Sequence, residues 1–112
     1  MIKNKTTKQI ISNKEIICKN ISSQMRGLMF RKSEKNLIMI FPRERRISLH
    51  NCFVFYPIDV IVLNKDKKVV EIKENFKPFK FWYAKQKGKY LIELGRKESK
   101  GKVRLGDLIE FN

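Results

Sequence analysis

Cysteine is scarce in this chain: there are two, Cys18 and Cys52, among 112 residues, and they form no CxxC pair. That argues against a disulfide-stapled scaffold and against a zinc ribbon, which need paired or clustered thiols. Free thiols in apolar surroundings behave as small hydrophobes and fit a reducing, cytoplasmic compartment. Proline (3) and glycine (5) are sparse and occur singly, so no linker marks a boundary and residues 1–112 read as a single domain. Long apolar runs are missing too. The longest, residues 52–63, is interrupted by Pro57 and Asp59 and falls short of the ~20 residues a spanning helix needs. The amino-terminal MIKNKTTKQI is basic with no apolar stretch behind it, unlike a secretory signal. A soluble protein with no membrane partner is expected.

Negative charge is the remaining shortage. Eleven Asp and Glu face 26 Lys and Arg, a formal net charge of +15. A field of that sign attracts polyanions, although a Lys-, Asn- and Ile-rich composition can generate it without any binding role. The rest is ordinary globular material, 42% hydrophobic and 11% aromatic.

Period-two patterns dominate. QIISNKEIICKN (9–20) reads as two short strands or a hairpin, with Ser12, Asn13 and Lys14 at the turn. Ser22 and Ser23 can cap a short helix carrying Met25, Leu28 and Met29 at helical spacing. LIMIF (37–41) is expected as a fully buried strand ended by Pro42. IDVIVL (58–63), a polar turn at 64–67 and KVVEIKE (68–74) form the clearest hairpin. FKFWYA (79–84) and KYLIEL (89–94) are two further strand candidates, the second ending at Gly95. Residues 96–100 suit one helical turn stopped by Gly101, and Leu105-Gly106-Asp107 turns into LIEF. The expected fold is mostly β, an antiparallel sandwich or partly open barrel with one or two short helices.

RGLMFR (26–31), IMIFP (38–42), LHNCFVFYPIDVIVL (49–63), NKDKKVVEI (64–72), KYLIELG (89–95) and GKVRLGDLIEF (101–111), in that order and spacing, resemble the family catalogued as domain of unknown function 192. The resemblance implies a small, mostly β domain of barrel or sandwich type and assigns no activity. Where relatives often carry a hydroxyl residue this chain has Asn51, and where they carry a Met-Arg-like pair it has Val54 and Phe55.

Three constellations bear on function. Asp59 lies inside an apolar run, and burying a lone carboxylate is very costly. Arg26 is the expected partner, in a pair pinning the short helix to the sheet, so Asp59 reads as architectural before catalytic. His50, Asn51 and Cys52 could line a small-molecule pocket. A lone His-x-Cys lacks a third ligand or an orienting group, so no metal, cofactor or catalytic set is expected. Residues 75–92 carry five lysines and no carboxylate until beyond them, with aromatics between. Alternation there would place Phe79, Phe81 and Tyr83 in the core and Trp82 outward beside Lys80, with Lys77, Lys85 and Lys87 nearby; the alternative packs Trp82 in a small second cluster and leaves the lysines solvated. Exposed rings flanked by lysines hold single strands by stacking and phosphate contact. Arg43, Arg45 and Arg46 extend this surface if they share its face.

The function these features favour is a non-enzymatic binding module for a polyanion, RNA or single-stranded nucleic acid. The alternative is a small-molecule pocket protein or enzyme centred on His50, Asn51, Asp59 and Arg26.

Overall fold

The computed structural model describes residues 1–12, 15–18, 36–50, 57–77, 81–95 and 101–111. All regular structure among them is β: β1 (Ile2–Asn4), β2 (Gln9–Ser12), β3 (Glu15–Cys18), β4 (Asn36–His50), β5 (Ile58–Leu63), β6 (Val69–Phe76), β7 (Phe81–Gly95) and β8 (Ile109–Phe111). The helix expected around 22–30 and the turn at 96–100 lie outside the described residues. A three-stranded sheet runs β2-β1-β8 and a five-stranded sheet runs β3-β4-β7-β5-β6. Pairing is antiparallel except for β3 beside β4. The mostly β, sandwich-type expectation holds, and no closed barrel forms among the described residues.

β5 explains the architecture. All six of its residues are buried, because the strand has a core on each face. Ile58, Val60 and Val62 point into one cluster with Leu37, Met39, Phe41, Phe76 and Leu91. Ile61 and Leu63 point into the other, which joins Ile38, Ile92 and Leu94 to Ile2, Ile11 and Ile109 of the small sheet. That second cluster is the filling of the sandwich. Strands wet on one face alternate; one buried on both faces reads as an unbroken apolar run.

The β5–β6 hairpin forms as its sequence indicated. Asn64 starts the turn, its carbonyl accepting from the Lys67 amide (3.0 Å) and its side-chain Oδ1 from the Asp66 and Lys68 amides (2.9 and 3.0 Å). Lys67 adopts φ 62°, the left-handed position that follows a type I turn in a bulged hairpin. At the other end, Arg104 to Asp107 closes a turn with Gly106 at φ 90°, where only glycine is unstrained. Asn4 locks the amino-terminal strand onto this turn. Its Nδ2 donates to Asp107 Oδ2 and to the Lys102 carbonyl, both at 2.8 Å. Its Oδ1 accepts from the Thr6 and Thr7 amides. A fully buried Asn thus has donors and acceptor all engaged, as burial demands.

One pair of alternatives is decided and two expectations are corrected. Of the two readings of residues 9–20, the two short strands form and the hairpin does not, since β2 and β3 belong to different sheets. The strand beginning at LIMIF runs past Pro42 to His50. Proline is tolerated because it falls where the ladder slips: Ile40 and Arg45 are five apart on β4 while their partners Tyr90 and Gly88 are two apart. FKFWYA and KYLIEL merge into one strand, β7. The polar segment between them is a bulge on a wet ribbon. Within it, Gly88 is buried under β5: a Cβ there would collide with Val62 Cγ1 and lie 3.2 Å from Ile47 Cδ1.

Candidate functional site

The outer halves of β4 and β7 form a two-stranded ribbon that leaves β5 behind, since β5 pairs with β7 only from Tyr90 to Gly95. Its inner face is set by Ile47, Ala84 and Gly88, all buried, and by Trp82, which packs half-buried against the core cluster. The opposite face is solvent. Arg46 lies on it, exposed, directly across from exposed Lys87. Positions 46 and 48 of a strand share a face, and so do cross-strand partners. Ser48 is paired with Tyr83, so Tyr83 belongs to the same surface as Arg46 and Lys87. Tyr83 is 71% exposed.

This reverses one expectation. Trp82 faces inward and Tyr83 outward, the opposite of the orientation read from alternation. Alternation assigns two faces but not which one meets a core. Here the inner face packs on a cluster that includes Ile58 and Phe76, and the indole offers it the larger apolar surface.

A bulge shapes the ribbon between Tyr83 and Lys87. These residues are four apart on β7, while their partners Ser48 and Arg46 are two apart. The consecutive amides of Lys85 and Gln86 both donate to Glu71 Oε1, at 2.7 and 2.9 Å. Successive amides of a regular strand point to opposite sides, so their convergence marks the bulge. Glu71 stands on β6, which is not the ladder neighbour of β7, and its carboxylate tethers the ribbon to that edge strand. Glu44 is likewise engaged, its Oε2 accepting from the Lys65 amide at 2.9 Å.

The remaining basic residues divide. Lys85 is exposed on the bulge. Arg43 is exposed beside Pro42, and the Arg45 guanidinium lies 5.7 Å from the Phe41 ring centre, a cation–π distance. Lys77 is exposed just past the end of β6, off the ribbon. Lys80 lies outside the described residues. Another basic cluster forms near the junction of the sheets. There Lys67 Nζ is 4.4 Å from the Phe111 ring centre and 5.8 Å from that of Tyr90, and Lys89 Nζ is 5.4 Å from Tyr90. The two rings meet edge to face at 5.3 Å.

The acids tell a structural story. Asp59 is 5% exposed, and its Oδ1 accepts from the Asn75 amide at 2.8 Å. Asn75 has φ 52°, a left-handed conformation that Asn tolerates better than most residues. It occupies a β6 bulge: Ile58 and Val60 are two apart, their partners Phe76 and Lys73 three apart. Asp59 therefore caps a bulge. Arg26 and Asn51 lie outside the described residues, so the Arg26–Asp59 pair does too. Only the backbone of His50 is described, ending β4 opposite Phe81, whereas Asp59 is opposite Leu94 at the far end of β7.

Sequence reading overlooked a second buried acid. Glu93 is fully buried, its backbone between Leu37 of β4 and Val60 of β5. Its partners place it on the sheet face opposite Asp59. The signal was the same as for Asp59, a carboxylate within an apolar run, LIEL. Among the described residues no three His, Cys, Asp or Glu side chains converge as metal ligands, and no helix is long and apolar enough to cross a membrane.

A family model described as "Uncharacterized ACR", domain of unknown function 192, matches residues 2–111. A UPF0127 protein of Pyrococcus furiosus is 40% identical over 96 residues, covering 83% of this chain and 82% of that protein. One of Pyrococcus horikoshii is 39% identical over 89 residues, covering 76% of each. Among solved structures, a protein from Sinorhizobium meliloti 1021 proposed to be a transcription regulator superposes with a TM-score of 0.78 at 22% identity. It covers 86% of this chain and 79% of its own. At that identity the likeness speaks for the fold alone.

Proposed function

We propose, from the premise that this chain belongs to the family of domain of unknown function 192, that it is a non-enzymatic module binding a polyanion, RNA or single-stranded nucleic acid, on the β4–β7 ribbon. The family name carries no activity, so the reading rests on the ribbon's charge. The observation behind it is the placement of Arg46 directly opposite Lys87. Like charges facing each other across a ladder destabilise it, and a bound phosphate chain would turn that repulsion into attraction. Arg43 and Lys85 add exposed cations on the same two strands, and the net charge of +15 supplies long-range steering.

The test is titration of labelled single-stranded RNA at several salt concentrations, followed by anisotropy. Binding should weaken with salt, log affinity falling with a slope of about −0.7 per phosphate neutralised. Arg46→Gln with Lys87→Gln should weaken binding and flatten the slope by about 0.7 for each cation removed. Unchanged affinity and slope in that double variant would remove the ribbon from the reading.

A further inference from the structure

The charge of the ribbon attracts any polyanion; Tyr83 distinguishes among them. Single exposed apolar side chains are common and mean little alone. Tyr83 differs in its setting. At 71% exposure it is the most exposed large hydrophobic side chain among the described residues. The register puts it on the face that carries Arg46 and Lys87. Beneath it the strand is anchored by Trp82 and Ala84 in the core cluster, and beside it by the bulge tied to Glu71. A ring on an anchored strand, with cations a few residues along the same face, combines the parts of a single-strand site: a stacking platform and phosphate partners.

We infer that Tyr83 is the base-stacking residue of the ribbon, which makes its ligand a single-stranded nucleic acid with unpaired bases rather than a polyanion in general. This inference rests on the polyanion reading above and narrows it. Stacking needs the π-face, which every base presents, so sequence preference should be weak. The phenolic ring is sufficient for it, and the hydroxyl is not required.

The experiment compares two probes on the full chain: a fluorescein-labelled oligouridylate, and an inorganic polyphosphate of matched charge as a base-free competitor. Tyr83→Ala should weaken oligouridylate binding about 5- to 150-fold, the range of one base stack, and leave polyphosphate affinity unchanged. Tyr83→Phe should retain wild-type binding of both. At so exposed a position neither substitution should disturb folding, and thermal unfolding checks this. Equal weakening of both probes, no weakening of either, or a Phe variant as weak as Ala would overturn the role of Tyr83 and leave the polyanion reading standing. Wild-type protein that binds neither probe would overturn both.

Discussion

β5 and the outer half of β7 belong to one sheet and obey different rules. β5 is apolar on both faces because each meets a core, and its single acid, Asp59, is occupied by a backbone amide. The outer half of β7 has one face on the core and the other in water. Its wet face carries a tyrosine and lysines, with an arginine opposite. In both regions a carboxylate holds a bulge: Asp59 caps Asn75 of β6, and Glu71 caps Lys85 and Gln86 of β7. The same device therefore serves different ends. Beside β5 it holds Asn75 of the edge strand β6 at its left-handed φ; on the ribbon it fixes the spacing of exposed groups. Interior positions should answer to stability, and ribbon positions to binding.

The largest expected effect lies in the interior. Phe76 is 1% exposed in the cluster beneath the ribbon. Phe76→Ala removes a buried ring and leaves a cavity, which should cost about 3–5 kcal/mol of stability in a denaturant melt. The cavity would open in the cluster against which Trp82 packs. Tryptophan emission of the folded variant should therefore shift to longer wavelength, and Trp82 is the only tryptophan in the chain. A loss below ~1 kcal/mol would mean that the ring does not fill a tight core.

Asp59 comes next. Asp59→Ala strips the Asn75 amide of its acceptor, and a hydrogen bond to a charged group contributes about 1.5–3 kcal/mol. Denaturation should show a loss in that range. Asp59→Asn, which keeps an acceptor oxygen, should lose less. RNA affinity of the folded Ala variant should stay at the wild-type value. A stable Asp59→Ala protein that had lost a ligand would instead point to the pocket reading.

The parts legible in the sequence were those governed by local chemistry. The β5–β6 hairpin was readable because Asn64 supplies the turn contacts and the flanking runs are β-branched. The Gly106 turn was readable for the same reason. Less was visible where tertiary context decides. Gln86, Lys87 and Gly88 resemble a loop, yet they lie within β7, because Glu71 supplies the acceptor that a loop would not need. The choice between Trp82 and Tyr83 depends on what lies under the strand, which alternation does not encode. Arg46 and Lys87 are 41 positions apart in sequence and meet only through a ladder whose register slips on both sides of them. The cost of burying a charge pointed to a partner for Asp59, but the Asn75 amide bound to it belongs to a bulge no pattern announced.

The smallest effect sharpens the comparison most, because its sign differs. Removing an interior group destabilises, but removing one member of the Arg46–Lys87 pair should stabilise. Opposed like charges on a sheet are unfavourable by roughly 0.2–1 kcal/mol relative to a neutral pair. Lys87→Gln should therefore raise the unfolding midpoint slightly at low salt, and the gain should shrink as added salt screens the repulsion in the wild-type protein. Arg46→Gln should do the same. The double variant should gain less than the sum of the two, because either substitution alone already relieves the contact. A double-mutant cycle in denaturant at two salt concentrations measures that coupling. Additive effects would mean that the two side chains splay apart and tolerate each other without a ligand. Coupling that disappears at high salt would mean the ribbon keeps a repulsive pair at a cost in stability, as expected of a surface kept for an anionic partner.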